Sequence, residues 1–264
     1  MTAAAPPMLT VRGVRAGFGA QTILHGIDLD VPTGQVTGIF GLNGAGKSVF
    51  LKVLAGVVPT WSGRVHLQDH DVTQLSPERR VALGMAHVPQ GRQVFGSLSV
   101  EQNLRVGAYP LRRRDRGRYD ERLAEVYATF PRLTERRKQA AATLSGGEQA
   151  MLAVGRALIS EPKIVLIDEP SAGLAPAVVE DLLEVLLRVR ELGLTMLLVE
   201  QNIRFGLRLT DTACLLQRGR VVYSGSTEEL DQERLGTYLG VGRLLKDDLT
   251  RGLSRGKAKA TASR

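Results

Sequence analysis

Cysteine, long apolar runs and the marks of a secretory signal are absent or nearly absent from this sequence. Cys214 is the one cysteine among 264 residues, so an internal disulfide and a cysteine metal cluster are excluded. No apolar run approaches the roughly 18 residues that a membrane-spanning helix needs. Residues 1–8 have neither the basic nor the apolar region of a signal peptide. These absences predict a globular protein of a reducing, cytoplasmic compartment.

Aromatic residues are also few, at 5% of the chain, whereas apolar residues make up 43%. This ordinary composition excludes a collagen repeat, a coiled-coil rod and wholesale disorder. A folded chain of this length buries roughly 70–75% of the surface that its unfolded form exposes, so its core needs no disulfide or bound metal for stability. The length predicts one large domain or a core with one inserted subdomain.

The net charge of +8 is confined to two short segments. Residues 112–118 and residues 244–264 each carry an excess of four positive charges, and neither has an aromatic side chain that could stack on a base. Short basic runs of this kind are typical of solvated loops and tails. We therefore expect no nucleic acid partner, and we predict that the tail is disordered.

The first part of the chain has the pattern of strands followed by one helix. Residues 9–31 alternate as strands do, and a short apolar run at 36–40 ends in a glycine-rich turn. Residues 48–55 then have helical character and stop at Gly56.

A second alternation of strand and helix follows after a long helical stretch. The pattern predicts a strand at 164–167, a helix at 177–192 and a strand at 195–199. Between the two alternations, residues 96–159 are mostly helical, with a capping-box pattern that begins at Ser99. Such an order predicts a parallel sheet covered by helices, with a helical insertion.

The segment 41–48 reads Gly-Leu-Asn-Gly-Ala-Gly-Lys-Ser and matches the phosphate-loop pattern G-x-x-x-x-G-K-[ST]. Its glycines let successive backbone N–H groups point at a phosphate, and the helix that follows adds the positive end of its dipole. Lys47 would add a full charge at the β- and γ-phosphates, and the Ser48 hydroxyl is placed to ligate Mg²⁺. The alternative is a glycine-rich turn in which Lys47 and Ser48 occur by accident.

Two adjacent carboxylates follow the apolar strand at 164–167. Asp168 is placed to hold a metal ion or its waters, and Glu169 to orient or deprotonate an attacking water. Taken alone, this pattern is a common start of a loop. Downstream of a phosphate loop, it predicts the second half of a Mg²⁺-nucleotide site.

Residues 144–149, Leu-Ser-Gly-Gly-Glu-Gln, stand at the start of another helix. Ser145 and the two glycines after it could form a second anion cradle. Its simplest use is to complete the nucleotide site of another copy. The alternative is a capped helix with a flexible approach.

In this order, the three motifs resemble those of the nucleotide-binding subunit of an ABC transporter, over residues 9–240. The resemblance implies an α/β fold: a P-loop NTPase (RecA-like) core with an antiparallel β subdomain and an inserted helical subdomain. The implied parts are a flexible N-terminus (1–8), an ATP-binding core with the β subdomain (9–95 and 160–225), a helical subdomain (96–159), a C-terminal segment (226–243) and a basic tail (244–264).

The resemblance also implies ATP and Mg²⁺ as cofactors. Phe18 stands where the family stacks an aromatic ring on adenine, and Gln90 where a glutamine contacts Mg²⁺ and links the site to the membrane partner. The implied residues are Glu169, Gln201 and Lys47 for catalysis; Ser48, Gln90 and Asp168 for Mg²⁺; Phe18, Gly41, Asn43, Gly44, Ala45, Gly46, Lys47, Ser48, Val49 and Gln90 for ATP; and Ser145, Gly146 and Gly147 for the ATP of a partner subunit.

Several segments are similar to one group within that family, the uptake systems for branched-chain amino acids and for urea or amides. They are residues 88–95, 130–133, 141–158, 169–176 and 238–240. The similarity implies an ATP-hydrolysing importer subunit at the cytoplasmic face of the cell membrane. Its implied partners are a second ATPase, identical or paralogous, in a head-to-tail dimer; transmembrane permease subunits; and, indirectly, a substrate-binding protein.

Two positions depart from the common pattern of the family. Gln201 stands where most members have a switch histidine, and Ala175 where many have an aspartate. A glutamine amide can hydrogen-bond a γ-phosphate oxygen or the attacking water but does not titrate. We interpret both residues as traits of the uptake group, and the alternative is a degenerate site.

Other members of the family remain as alternatives. A lipopolysaccharide-type exporter shares every core motif but is expected to have histidine at position 201. A DNA-repair or chromosome-structuring ATPase would need a long coiled-coil or zinc insertion, and a translation-type protein would carry two cassettes. The sequence has none of these features.

Overall fold

The structure is a computed structural model that describes residues 6–112, 117–230 and 232–239. The predicted basic tail, residues 1–5 of the predicted flexible N-terminus and residues 113–116 of the internal basic run lie outside the described residues.

Ten strands are described, in chain order: β1 (Pro7–Phe18), β2 (Gln21–Pro32), β3 (Val36–Phe40), β4 (Ser62–Leu67), β5 (His70–Asp71), β6 (Met85–Val88), β7 (Ile164–Asp168), β8 (Thr195–Glu200), β9 (Thr212–Gln217) and β10 (Arg220–Ser226). The described α-helices are α1 (Lys47–Leu54), α2 (Pro77–Ala82), α3 (Val100–Gly107), α4 (Tyr109–Arg112), α5 (Gly117–Thr129), α6 (Pro131–Glu135), α7 (Gly146–Leu158), α8 (Pro176–Glu191), α9 (Ile203–Leu209) and α10 (Gln232–Leu239).

The strands form two sheets. A six-stranded sheet has the order β10-β9-β3-β8-β7-β6, in which β10 is antiparallel to β9 and all other neighbours are parallel. A four-stranded antiparallel sheet has the order β2-β1-β4-β5. The architecture therefore contains the predicted parallel sheet and a separate antiparallel sheet.

The central strands β3, β7 and β8 of the six-stranded sheet are buried on both faces, which explains why they are largely apolar. Leu166 and Leu197 pack with α1 and the antiparallel sheet in one hydrophobic cluster. Val165 and Leu198, one position along each strand, pack with α3, α5, α7 and α8 in another. Successive side chains of a strand point to opposite faces, so one apolar run supplies two cores.

The helical stretch predicted between the two strand–helix alternations is present as α3 to α7, which lie between β6 and β7 in the chain. Helix α7 contacts α3 and α8. Capping boxes are formed at both predicted starts, at Ser99 of α3 and at Ser145 of α7.

The carboxyl ends of β3, β7 and β8 meet at one edge of the six-stranded sheet, because these strands are parallel neighbours. In open α/β sheets, ligands bind in the crevice outside the carboxyl ends of the strands. At this edge, the phosphate-loop motif follows β3, Asp168 ends β7 and Glu169 follows it.

Candidate nucleotide site

The phosphate-loop motif forms the turn between β3 and α1. Gly44 and Gly46 have φ angles of 77° and 102°, in the left-handed region that favours glycine. A Cβ at Gly41 would lie 2.3 Å from the carbonyl oxygen of Leu216, so the loop also needs glycine for its close approach to β9. Gly46 is the N-cap of α1 and makes no side-chain cap hydrogen bond, and the first turn has no acidic residue. The first N–H groups of α1 are therefore suited to an anion.

The side chain of Lys47 folds back over its own loop. Its Nζ donates to the carbonyl oxygens of Gly41 at 2.9 Å and Leu42 at 3.3 Å. The same atom lies 3.8 Å from Oε1 of Glu169, and the side chain of Lys47 is 4% exposed. These contacts therefore hold the ammonium group against its own loop.

Ser48 and Asp168 connect α1 to β7. The Ser48 hydroxyl donates to Oδ1 of Asp168 at 3.1 Å. Asp168 is buried, and this burial raises the pKa of its carboxyl group. A hydroxyl and a carboxylate are hard oxygen ligands of the kind that Mg²⁺ prefers. Within the described ranges, no group of three or more His, Cys, Asp or Glu side chains could hold a metal by itself.

Glu169 lies between two of the predicted residues. Its Oε2 accepts a hydrogen bond from Gln90 Nε2 at 2.8 Å, while Oε1 faces Lys47. Its backbone has a φ of 44°, unusual for a residue with a side chain, and its N–H donates to the carbonyl of Val199 at 2.9 Å. A strained backbone that the surroundings hold in place is common at functional sites. The structure thus brings together Lys47, Gln90, Asp168 and Glu169.

Two cavities adjoin this cluster, and Glu169 lines both. One, of about 540 Å³, also has Gln90 and Asp168 in its wall. The other, of about 630 Å³, runs from Glu169 to Gln201, which follows the last residue of β8. Gln201 therefore lines the same cavity as Glu169.

Four other predicted residues do not line the two cavities beside Glu169. Phe18 ends β1 and has an exposed ring, with 53% of the residue accessible. Ser145, Gly146 and Gly147 begin α7, and none of them lines either cavity beside Glu169.

A capping box forms the start of α7. The Ser145 hydroxyl accepts from the N–H of Glu148 at 3.3 Å, and the Glu148 carboxylate accepts from the N–H of Ser145 at 2.9 Å. Arg136 pairs with the other Glu148 oxygen at 2.9 Å. A Cβ at Gly147 would lie 2.3 Å from Val178, so this glycine permits close packing of α7 on α8.

Sequence reasoning missed Glu200, the buried last residue of β8. Its carboxylate accepts three backbone hydrogen bonds, from Ser171, Gln201 and Asn202. A signal was present in the sequence, because β8 ends in an acid after an apolar run just as β7 does.

Similarity to known proteins identifies the class of this protein. Residues 24–172 match the ABC transporter family, and the chain belongs to it as an ATP-binding, ATP-hydrolysing cassette. The structure is similar to a nucleotide-free ATP-binding cassette from an ABC transporter, with a TM-score of 0.77 and 25% identity over 91% of this chain and 98% of that one. It is equally similar, by TM-score and identity, to the ADP conformation of such a cassette, over 90% and 97% of the two chains. The predicted P-loop NTPase fold is thereby confirmed.

Two relatives of the chain are named for branched-chain amino acid transport, and a third is named for lipopolysaccharide export. The chain is 40% identical to the high-affinity branched-chain amino acid transport ATP-binding protein BraG of Pseudomonas aeruginosa, over 81% of this chain and 91% of BraG. It is 39% identical to the probable branched-chain amino acid transport ATP-binding protein LivF of Archaeoglobus fulgidus, over 84% and 94%. Identity to the lipopolysaccharide export ATP-binding protein LptB of Escherichia coli is 29%, over 88% and 97%.

In the part of the chain that the structure describes, no helix has both the length and the apolar character needed to cross a membrane.

Proposed function

We propose that this chain hydrolyses Mg²⁺-ATP to drive the import of branched-chain or other hydrophobic amino acids through a membrane permease. The observation that carries the hydrolytic part is the position of Glu169, held between Lys47 and Gln90 beside the Ser48–Asp168 pair. The importer part is supported by the relatives BraG and LivF, which match this chain over most of their length.

Each residue of the cluster has a distinct role in this proposal. Lys47 leaves the carbonyl oxygens of its loop to contact the β- and γ-phosphates, which the N–H groups at the start of α1 also bind. Glu169 accepts a proton from the attacking water or orients it, and Gln201 hydrogen-bonds that water or a γ-phosphate oxygen. Phe18 stacks on the adenine ring.

The residues at the edge of the sheet suit a magnesium ion. Ser48 and Asp168 would hold it, with Gln90 as a further ligand once this side chain leaves Glu169. Bound there, Mg²⁺ would neutralise charge on the β- and γ-phosphates.

The start of α7 serves a second subunit in this proposal. Ser145, Gly146 and Gly147 lie outside the cavities beside Glu169, which suits contact with the nucleotide of another copy. Two subunits, identical or paralogous, would close head to tail over ATP and reopen after hydrolysis. The Gln90 loop and the α3–α7 helices would pass this motion to a permease at the cytoplasmic face of the membrane.

Two alternatives concern the cargo and its direction. A urea or amide importer fits the same segments of the sequence. A lipopolysaccharide-type exporter has weaker support, since LptB is 29% identical and BraG 40%, and Gln201 stands where an exporter is expected to have histidine.

Turnover of Mg²⁺-ATP tests the hydrolytic part. The wild-type protein is expected to turn over ATP, whereas Glu169→Gln is expected to bind ATP, stay inactive and accumulate as a dimer in light scattering. Glu184→Gln makes the same chemical change on an exposed position of α8 and should leave turnover unchanged. An active Glu169→Gln variant would contradict the role of Glu169.

Reconstitution tests the cargo. Vesicles that contain this chain, its candidate permease and its binding protein should accumulate labelled leucine when ATP is present on the side of this chain. Uptake of urea without leucine would favour the urea or amide importer. Uptake of neither, with intact ATP turnover, would contradict import and leave the ATPase assignment in place.

A further inference from the structure

The carboxylate of Glu200 is buried in the structure, with 1% of the residue exposed. Oε1 accepts from the backbone N–H of Ser171 at 3.0 Å. Oε2 accepts from the backbone N–H groups of Gln201 and Asn202, both at 2.9 Å. One side chain therefore joins two separate loops, one after β7 and one after β8.

Both loops carry residues of the nucleotide site. Ser171 lies two positions after Glu169, and Gln201 follows Glu200 directly. Glu169, Ser171, Glu200 and Gln201 all line the cavity of about 630 Å³. Asn202, the third donor, is the N-cap of α9, whose side chain accepts from the N–H of Phe205 at 3.1 Å.

The chemistry of this contact requires a carboxylate. Burying a charged group in an apolar environment is unfavourable unless hydrogen bonds compensate it. Burial raises the pKa of Glu200, and the bonds from Ser171, Asn202 and Gln201 oppose that rise. A carboxylate has two oxygens that both accept hydrogen bonds and carries no donor, whereas an amide has one acceptor and one donor group. A packing role alone would not need two acceptors directed at two loops.

We propose that Glu200 is a positioning residue for ATP hydrolysis, which holds the loop after Glu169 and the loop of Gln201 in a fixed relation. It acts through the backbone N–H groups of Ser171, Gln201 and Asn202. This inference rests on the proposed function, because it assumes that Glu169 and Gln201 act on the same attacking water.

Glu200→Gln is the direct test. The amide keeps the size of the side chain, but its NH₂ group must face the N–H of Ser171 or those of Gln201 and Asn202, so one loop loses its anchor. We expect kcat to fall about 10- to 100-fold while KM for ATP changes less than about threefold, since the phosphate loop is untouched. Both constants are measured per mole of folded protein.

Asp211→Asn is the matched control. Asp211 also accepts a backbone hydrogen bond, from Val36 at 2.8 Å, and pairs with Arg190, but it lies where β3 and β9 begin, at the opposite edge of the sheet. Its loss is expected to lower stability and leave kcat unchanged. Equal falls in kcat for the two variants would reduce Glu200 to a stabilising residue and overturn the proposal.

Hydrogen exchange keeps the proposal testable if Glu200→Gln does not fold. In the wild-type protein, the amides of Ser171, Gln201 and Asn202 should share one level of protection, because one carboxylate holds all three. Fast exchange at Ser171 alone would show that the loops are not joined and would overturn the proposal. An unchanged kcat in a folded Glu200→Gln would do the same. Absence of turnover in the wild-type protein would instead contradict the proposed function, and this inference with it.

Discussion

Helices α1 and α7 begin in opposite ways. Helix α1 starts after Gly46, with no side-chain cap and no acid in its first turn. Helix α7 starts with a capping box in which Ser145 and Glu148 bind each other's backbone N–H groups. Unsatisfied N–H groups and the helix dipole make a helix start an anion site, so α1 is open to a phosphate. The start of α7 is partly used by its own side chains, and it offers the Ser145 hydroxyl proton and the N–H groups of two glycines.

At the C-terminal end of α1, in contrast to its start, a side chain binds the backbone groups. Arg80 is buried, and its guanidinium donates to the carbonyl oxygens of Val53 and Leu54, at the end of α1, and of Thr73 and Leu75. These bonds satisfy carbonyl groups that a helix end otherwise leaves without partners. Helix α1 is thus anchored at the end away from the phosphate-loop motif.

The largest effect is expected from the open end of α1. Lys47→Ala removes the ammonium group at the mouth of the phosphate loop and should lower ATP turnover about 1000-fold, because a donor to the transferred phosphoryl group is lost. Lys52→Ala is the matched control, since Lys52 is exposed on the same helix. It should retain turnover within about twofold. Steady-state ATPase assays measure both variants, and similar losses would assign the effect to helix charge.

The next largest effect is a loss of stability at the C-terminal end of α1, where Arg80 binds the carbonyl groups. Arg80→Met leaves carbonyl oxygens of Val53, Leu54 and Thr73 without this partner, and it should lower the free energy of unfolding by about 3 kcal/mol. Arg79→Met, an exposed neighbour on α2, should change it by less than about 0.5 kcal/mol. Urea unfolding measures both values. If Arg80→Met lowered the free energy of unfolding no more than Arg79→Met does, the anchoring role of Arg80 would be contradicted.

Much of this contrast between helix starts could be predicted from the sequence, because the start of a helix is determined by residues close together in the chain. The start of α1 after a glycine loop, and the capping boxes at Ser99 and Ser145, depend on residues within three positions of each other. The motifs around Lys47 and Asp168 were predicted for the same reason. The phosphate loop is a short segment that can be recognised alone, and the acidic pair at Asp168 can be interpreted once the phosphate loop is known.

Contacts that depend on strand order could not be predicted. Strand β6 pairs with β7 although the α3–α7 helices lie between them in the chain, and only that pairing brings Gln90 within 2.8 Å of Glu169. The contact between Glu200 and Ser171 likewise needs β7 and β8 to be neighbours. The left-handed backbone of Glu169 has no sequence signal, since the residue is not glycine.

A smaller effect on stability depends on pH and on His87, which lies near the positive charge of Lys52 in α1. Burial, with a contribution from Lys52, lowers the pKa of His87 to about 4. The unfolded chain, with an ordinary histidine pKa of about 6.5, takes up a proton first as the pH falls. His87 therefore costs the protein about 2 kcal/mol of stability between pH 7 and pH 5. His87→Gln should remove that part of the acid sensitivity, measured as the difference between urea unfolding at the two pH values. An unchanged difference would mean that His87 is accessible to protons.

The smallest effect on stability is expected at the start of α7. A variant there also distinguishes the proposed role of α7 from that of α1. Ser145→Ala removes one capping bond and should lower the free energy of unfolding by about 1 kcal/mol. Ser99→Ala removes the equivalent bond from α3 and should cost about as much. Only Ser145→Ala should also slow ATP turnover, because the proposed dimer uses the Ser145 hydroxyl at a partner's nucleotide.

Mixing variants tests which subunit uses that hydroxyl. In a mixed head-to-tail dimer of Lys47→Ala and Ser145→Ala, one nucleotide site carries both changes and the other carries neither. Turnover of the mixture should therefore exceed the mean of the two variants measured alone. A mixture of Lys47→Ala and Ser99→Ala serves as the reference, because Ser145 is intact in both of its subunits. A mixture that gives only the mean would place Ser145 at the nucleotide of its own chain, and α1 and α7 would then be two parts of one site.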